Sequence, residues 1–174
     1  MKRPPLRLTA LVAAAALLAG CQAPGTAAVV NGECLTDRDV AQFVAEAQEL
    51  LNQDVSLAAG VSNLTIQRLL EPVALEHDAM VSDEEVLETL NDIRDLSGMP
   101  PVALSEVSDP TLDALRAEIW SMNIQSGQAS QEFSVAAIDA LNEADVEVNR
   151  RYQMFGTEGT LFEGQPDTWI ATSM

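Results

Sequence analysis

Residues 28–36, Ala-Val-Val-Asn-Gly-Glu-Cys-Leu-Thr, place Asn31-Gly32 between two short β-prone runs and end on a residue type that caps helices. Asn-Gly readily supplies the two positive-φ positions of a two-residue hairpin turn, so this stretch predicts a small strand pair leading directly into a helix. Thr36, with Asp39 three residues on, marks the helix start. Val40, Phe43, Val44, Ala47, Leu50 and Leu51 then follow at spacings of three and four, which predicts one apolar stripe on a helix over 37–52.

Working outward from this segment, four more helices are expected. After a loop containing Gly60, the residues Ile66, Leu69, Leu70 and Val73 form a stripe that Pro72 is expected to break, because proline removes a backbone donor and crowds the preceding turn. Ser82-Asp83-Glu84-Glu85 is a capping-box pattern, and Val86, Leu87, Leu90, Ile93 and Leu96 supply the buried side of a helix over 83–96. Pro100 and Pro101 close that helix, and Asp109-Pro110 suits a cap followed by proline at the first position of a fourth, with Leu112, Leu115, Ile119 and Met122 facing inward. Phe133, Val135, Ala137, Ile138 and Leu141 define a fifth over 132–143. Val146-Glu147-Val148 alternates like a strand, and the N-terminal hairpin is its natural partner, since so short a strand does not stand alone. The expected fold class is therefore mainly α: about five amphipathic helices and a small β-element joining the N-terminal hairpin to a C-terminal strand.

The first 20 residues follow a different logic. Lys2, Arg3 and Arg7 precede an apolar run over 8–19, and Leu18-Ala19-Gly20-Cys21 resembles the bacterial lipobox. The run is about 12 residues, short of the roughly 20 needed to span a bilayer, so it reads as a secretory signal and not a membrane helix. The lipobox resemblance implies cleavage before Cys21 and acylation of its thiol, with residues 21–27 as a lipidated tether and 28–174 as the domain. Export to the extracytoplasmic face of a cell membrane follows, with the bilayer itself as the first partner. With Cys21 acylated, no disulfide is expected to staple the domain, and Cys34 is expected to be a small buried hydrophobe.

The charge balance narrows function further. The 174 residues carry 27 Asp plus Glu against 9 Lys plus Arg, a formal −18, and after residue 21 only six Arg remain against the same 27 acids, a formal −21. Such a chain has no basic stripe with which to hold a phosphate backbone, so nucleic acid is excluded as a partner. No catalytic motif stands out either: His77 is the only histidine, and no Gly-x-Ser-x-Gly elbow, phosphate loop or dinucleotide fingerprint occurs. Zinc chemistry would want more histidine or cysteine, so neither metal nor other cofactor is expected. Glu84, Glu88 and Asp92 share one helical face, read as solvated and not as a cation site.

Several of these segments together resemble a known family. Ala28-Val29-Val30-Asn31-Gly32-Glu33 with Leu35-Thr36 opening a helix, the pair Leu69-Leu70 followed by Val81-Ser82-Asp83-Glu84-Glu85-Val86, and Val146-Glu147-Val148-Asn149-Arg150-Arg151-Tyr152 near the end are similar to the N-terminal domain of SurA and PrsA-type periplasmic or surface chaperones and their lipoprotein relatives. The resemblance spans about residues 27–152. Arg150 stands where the relatives often carry proline and Gln153 where they carry glycine. No stretch remains for the roughly 90-residue parvulin isomerase domain of those chaperones, so the resemblance implies a non-enzymatic holding domain for unfolded or partner polypeptides.

On this reading the candidate partner-binding residues are Trp120, Met122, Tyr152, Phe155, Phe162 and Trp169, with Met99 and Met154 beside them, since four of the seven aromatics gather in the last 23 residues. Two other classes stay open: an adaptor that recognises one folded envelope partner, and a hydrolase or cation binder built from carboxylates without a motif.

Overall fold

The computed structural model describes residues 24–153. Strands β1 (Thr26–Val30) and β2 (Glu33–Thr36) flank the turn, and β3 (Val146–Val148) completes an antiparallel sheet of order β2-β1-β3. Asn31 and Gly32 sit at φ 49° and 86°, the two left-handed positions expected of Asn-Gly. Val29 pairs with Cys34 on one side and Glu147 on the other, so β1 is the central strand. The turn is tied to the incoming β3 as well: the Asn31 amide donates to the Asp145 carbonyl at 2.8 Å, and the Asp145 amide donates to Asn31 Oδ1 at 3.0 Å. Thr26 and Ala27 belong to β1, and Ala27 is fully buried, so the folded domain starts before the expected boundary at residue 28.

Six α-helices follow among the described residues: α1 (Asp37–Leu51), α2 (Leu57–Glu76), α3 (Asp83–Leu96), α4 (Asp109–Ser126), α5 (Gln131–Glu143) and the short α6 (Arg150–Gln153). Their starts are chemically marked. Thr36, Ser56, Ser82 and Ser130 each accept a backbone N–H three residues on, at 3.1 to 3.3 Å, satisfying donors that a helix start leaves orphaned. Glu85 completes the capping box by accepting from the Ser82 amide at 2.8 Å. Asn52 and Gly127 end α1 and α4 in the left-handed region.

Four local expectations are corrected, the first being Leu96, which is 89% exposed and not on the buried side of α3. Gly60 lies in the first turns of α2 and not in a loop, packed under Val40, Phe43 and Val44 of α1. Pro72 does not break α2: the helix runs on to Glu76, with Pro72 on its exposed face, where the carbonyl left without a donor can turn to water. The cap of α4 is Ser108, with Asp109 and Pro110 inside the helix; the Ser108 hydroxyl donates to Glu46 of α1 at 2.8 Å.

The core has three adjoining parts. Ala27, Ala28 and Leu35 of the sheet pack on Val40 and Phe43 of α1 and on Val61 and Leu64 of α2. Leu50 and Leu51 join Val86 and Leu90 of α3 and Leu112 and Leu115 of α4. Leu70, Ala74, Trp120, Phe133 and Ala137 close the far end between α2, α4 and α5. Two buried arginines bind backbone carbonyls between these parts: Arg94 reaches Pro100 at 2.8 Å and Leu50, and Arg116 reaches Val81 at 3.0 Å.

Candidate functional site: a charged cavity at the junction of three helices

The start of α1, the middle of α2 and the first turns of α4 line a half-open cavity of about 350 Å³. Helical spacing explains who reaches it. Arg38 and Gln42 are four apart on α1 and share a face with Asp39; Leu64, Gln67 and Arg68 are one face of α2; Asp109 and Asp113 are four apart on α4. Buried Leu35 and Leu64 supply the apolar part of the lining, and Gln67 is only 4% exposed.

The electrostatics of the lining are unusual for so small a space. Gln67 Nε2 donates to Glu71 at 3.0 Å, which leaves the amide oxygen as an acceptor. Arg116 Nη1 donates to Asp113 at 2.7 Å, and Arg116 also pairs with Asp83. Burial still pushes the Asp113 carboxyl above its ordinary value, with the Glu71 charge adding to the push and Arg116 and Arg68 opposing it. Arg68 lies 3.5 Å from the exposed Glu33. Within 4 Å, no ion pair joins Arg38 or Arg68 to Asp39, Asp109 or Asp113 among the described residues.

Beneath the cavity, Glu46 locks α1 to α4. It accepts the Ser108 amide at 3.0 Å and the Ser108 hydroxyl at 2.8 Å. Burial alone would raise this carboxyl, but hydrogen bonds from Ser108, Thr111 and Gln42 outweigh it and hold the group below its ordinary value.

The residues singled out from sequence go to different places. Trp120 is 1% exposed, and its indole N–H donates to the Ala79 carbonyl at 2.8 Å; it is a core residue, which corrects the expectation that it lies at a binding edge. Met122 is exposed. Tyr152 is half-buried against the sheet-side core, donates its hydroxyl to Asp37 at 2.8 Å and stacks under Arg151, itself paired with Asp37, so its contacts close the end of the domain. Phe155, Phe162, Trp169, Met154 and Cys21 lie outside the described residues. Met99 is half-buried in the loop after α3. Cys34 is half-buried and disulfide-bonded, which corrects both the expectation of a buried hydrophobe and that of a domain without a disulfide.

Glu84, Glu88 and Asp92 are all exposed, as a solvated helix face requires. Among the described residues no group of three His, Cys, Asp or Glu side chains could hold a metal ion, and no helix is long and apolar enough to cross a membrane. Sequence reading missed the cavity because its charges come from three helices spread over 75 residues; the only local trace was the pairing of Arg38 with Gln42 and of Asp109 with Asp113 at helical spacing. Comparison of the chain with protein-family models, curated proteins and solved structures finds no match.

Proposed function

We propose that this chain is a lipid-anchored protein of the cell envelope that binds exported polypeptides without catalysis, as a holdase or assembly factor. The observation that carries the reading is the order of the first 21 residues: basic start, apolar run, Leu18-Ala19-Gly20-Cys21. It supports a mature domain on the extracytoplasmic face, held by acyl chains at about 0.8 kcal/mol per buried methylene. The resemblance of residues 27–152 to SurA and PrsA-type holding domains supports polypeptide binding. Exposed apolar side chains support it too: Leu75 is 70% exposed and Leu96 89%, while Val135 and Ile138, each about half exposed, stand one helical turn apart on the outer side of α5. The formal −21 keeps a protein with such side chains soluble.

The test has two arms. Cys21→Ser should abolish acylation and release the protein from membranes; retention with normal processing overturns the anchor. The exported protein at several-fold excess should slow aggregation of a chemically denatured client, and Val135→Asp with Ile138→Asp should weaken that effect. No protection at any excess overturns the holdase reading, and a single stoichiometric partner in envelope crosslinking at Leu96 or Val135 replaces it with a dedicated adaptor.

A further inference from the structure

Five side chains of opposite charge line the cavity between α1, α2 and α4, and they do not neutralise one another. Free in water, a guanidinium and a carboxylate this close would gain by closing to hydrogen-bond distance. Here the backbone positions are set by the helix packing beneath. Val40 and Phe43 of α1 are fully buried against α2, and the Glu46–Ser108 contact fixes α4 to α1. Arg68 lies 3.5 Å from Glu33, and Asp113 pairs with Arg116 at 2.7 Å. Arg38 has no hydrogen-bond or ion-pair partner among the described residues. Charges of both signs, from all three helices, therefore line one space, close enough for the Arg68 charge to act on Asp113.

A simple anion fits poorly here, since three aspartates would face it, and a simple cation would face two arginines. A molecule bearing both charges can meet lining groups of both signs at once. We propose that this cavity binds a small zwitterion of α-amino-acid to dipeptide size, its carboxylate held by Arg38 and Arg68 and its ammonium by Asp109 and Asp113. Arginine suits the first role because its planar fork matches a carboxylate with two parallel hydrogen bonds. The Gln67 amide oxygen, on a side chain 96% buried, offers an acceptor to an amide or ammonium N–H, and Leu35 and Leu64 give a small side chain apolar contact. The volume of about 350 Å³ falls at the small end of ligand sites, which matches one or two residues and not a longer peptide.

The site is independent of the lipid anchor and of the exposed apolar residues, so its test can fail while the function proposed above stands. The full exported protein in detergent is titrated with L-alanine and with L-alanyl-L-alanine by calorimetry and by amide chemical shifts. Saturable binding is expected for at least one of the two. N-acetylation of the ligand and amidation of its carboxylate should each weaken binding at least tenfold. Arg38→Gln should reduce affinity for the free ligand at least tenfold but leave the amidated ligand almost unchanged; Asp109→Asn should do the same with respect to the acetylated one. Both residues are exposed, so circular dichroism should show these variants folded, and Glu49→Gln, exposed and away from the cavity, should bind as the parent does. No saturation by either ligand up to about 10 mM, or equal binding of free and capped ligands, overturns the proposal.

Discussion

Gly60 offers a test in which two effects of known size oppose each other. In an exposed helix interior, replacing glycine by alanine gains up to about 1 kcal/mol, because the unfolded chain loses freedom and no side chain must be ordered. Gly60 is buried at the crossing of α1 and α2, with a φ that any residue can adopt, so backbone strain does not enter. A Cβ there would lie 2.9 Å from Val44 Cγ2, 3.3 Å from Val40 Cγ1 and 3.5 Å from Phe43 Cδ1. Val44 cannot easily turn aside: a β-branched side chain in a helix has one strongly preferred rotamer. The helices must part by a few tenths of an ångström, in a region where Val40 and Phe43 have no exposed surface. Overpacking of this kind costs about 1–3 kcal/mol, so Gly60→Ala should be destabilising by about 1 kcal/mol net. Urea unfolding followed by circular dichroism reads the change. The same substitution in a Val44→Ala background should recover most of the helix gain, giving a coupling of about 1–2 kcal/mol in the double-mutant cycle. A Gly60→Ala protein more stable than the parent, additive with Val44→Ala, would refute the close approach of the two helices.

Three further outcomes are expected. Trp120→Ala should cost about 3–5 kcal/mol, as large aromatic truncations in cores do, and any loss of client protection should follow the loss of fold; intact stability with lost binding would return Trp120 to the surface. Ser82→Ala should cost about 1 kcal/mol and speed hydrogen exchange at the Glu85 amide, which donates to the Ser82 hydroxyl at 3.3 Å; unaltered exchange would mean that the cap does not restrain α3. Glu46 has a folded pKa below its ordinary value, so its contribution is present above the ordinary carboxylate range and is lost as pH falls through the depressed pKa. Glu46→Gln should thus be less stable than the parent at neutral pH and converge with it in acid; a stability gap independent of pH would contradict the assignment.

Much of the architecture was readable because local chemistry and global packing agree. Asn31-Gly32, the caps Thr36 and Ser82, the stripe on α1 and the alternation of Val146-Glu147-Val148 each act within a few residues, and the structure uses each as expected. The misreadings fall where packing overrides a local rule. Gly60 and Pro72 look like interruptions, yet α2 is contacted by α1, α4, α5 and the sheet, and one continuous helix buries more than two broken ones would. On α4 the stripe of Leu112, Leu115, Ile119 and Met122 implies one buried side. The observed buried set is Thr111, Leu112, Ala114, Leu115, Arg116, Ala117 and Trp120, because α1, α2 and α3 all press on it. Arg94 and Arg116 are buried for a reason invisible to hydropathy: their donors meet carbonyls brought near by the fold. The cavity was illegible for the same reason, as its five charges become neighbours only after three helices have packed.

The two cysteines sharpen the question of anchoring. Cys34 is disulfide-bonded, and Cys21 is the only other cysteine of the chain. A sulfur that carries a diacylglyceryl thioether cannot also enter a disulfide, so acylation of Cys21 and a Cys21–Cys34 bridge are exclusive in any one molecule. The intact mass of the exported protein separates them, since acylation adds a lipid increment and oxidation removes two hydrogens. The geometry gives the choice a consequence. Four residues lie between Cys21 and Thr26 at the start of β1, five chain steps that reach at most about 18 Å when fully extended. An acylated Cys21 therefore holds the start of β1, and with it the sheet, close to the bilayer surface.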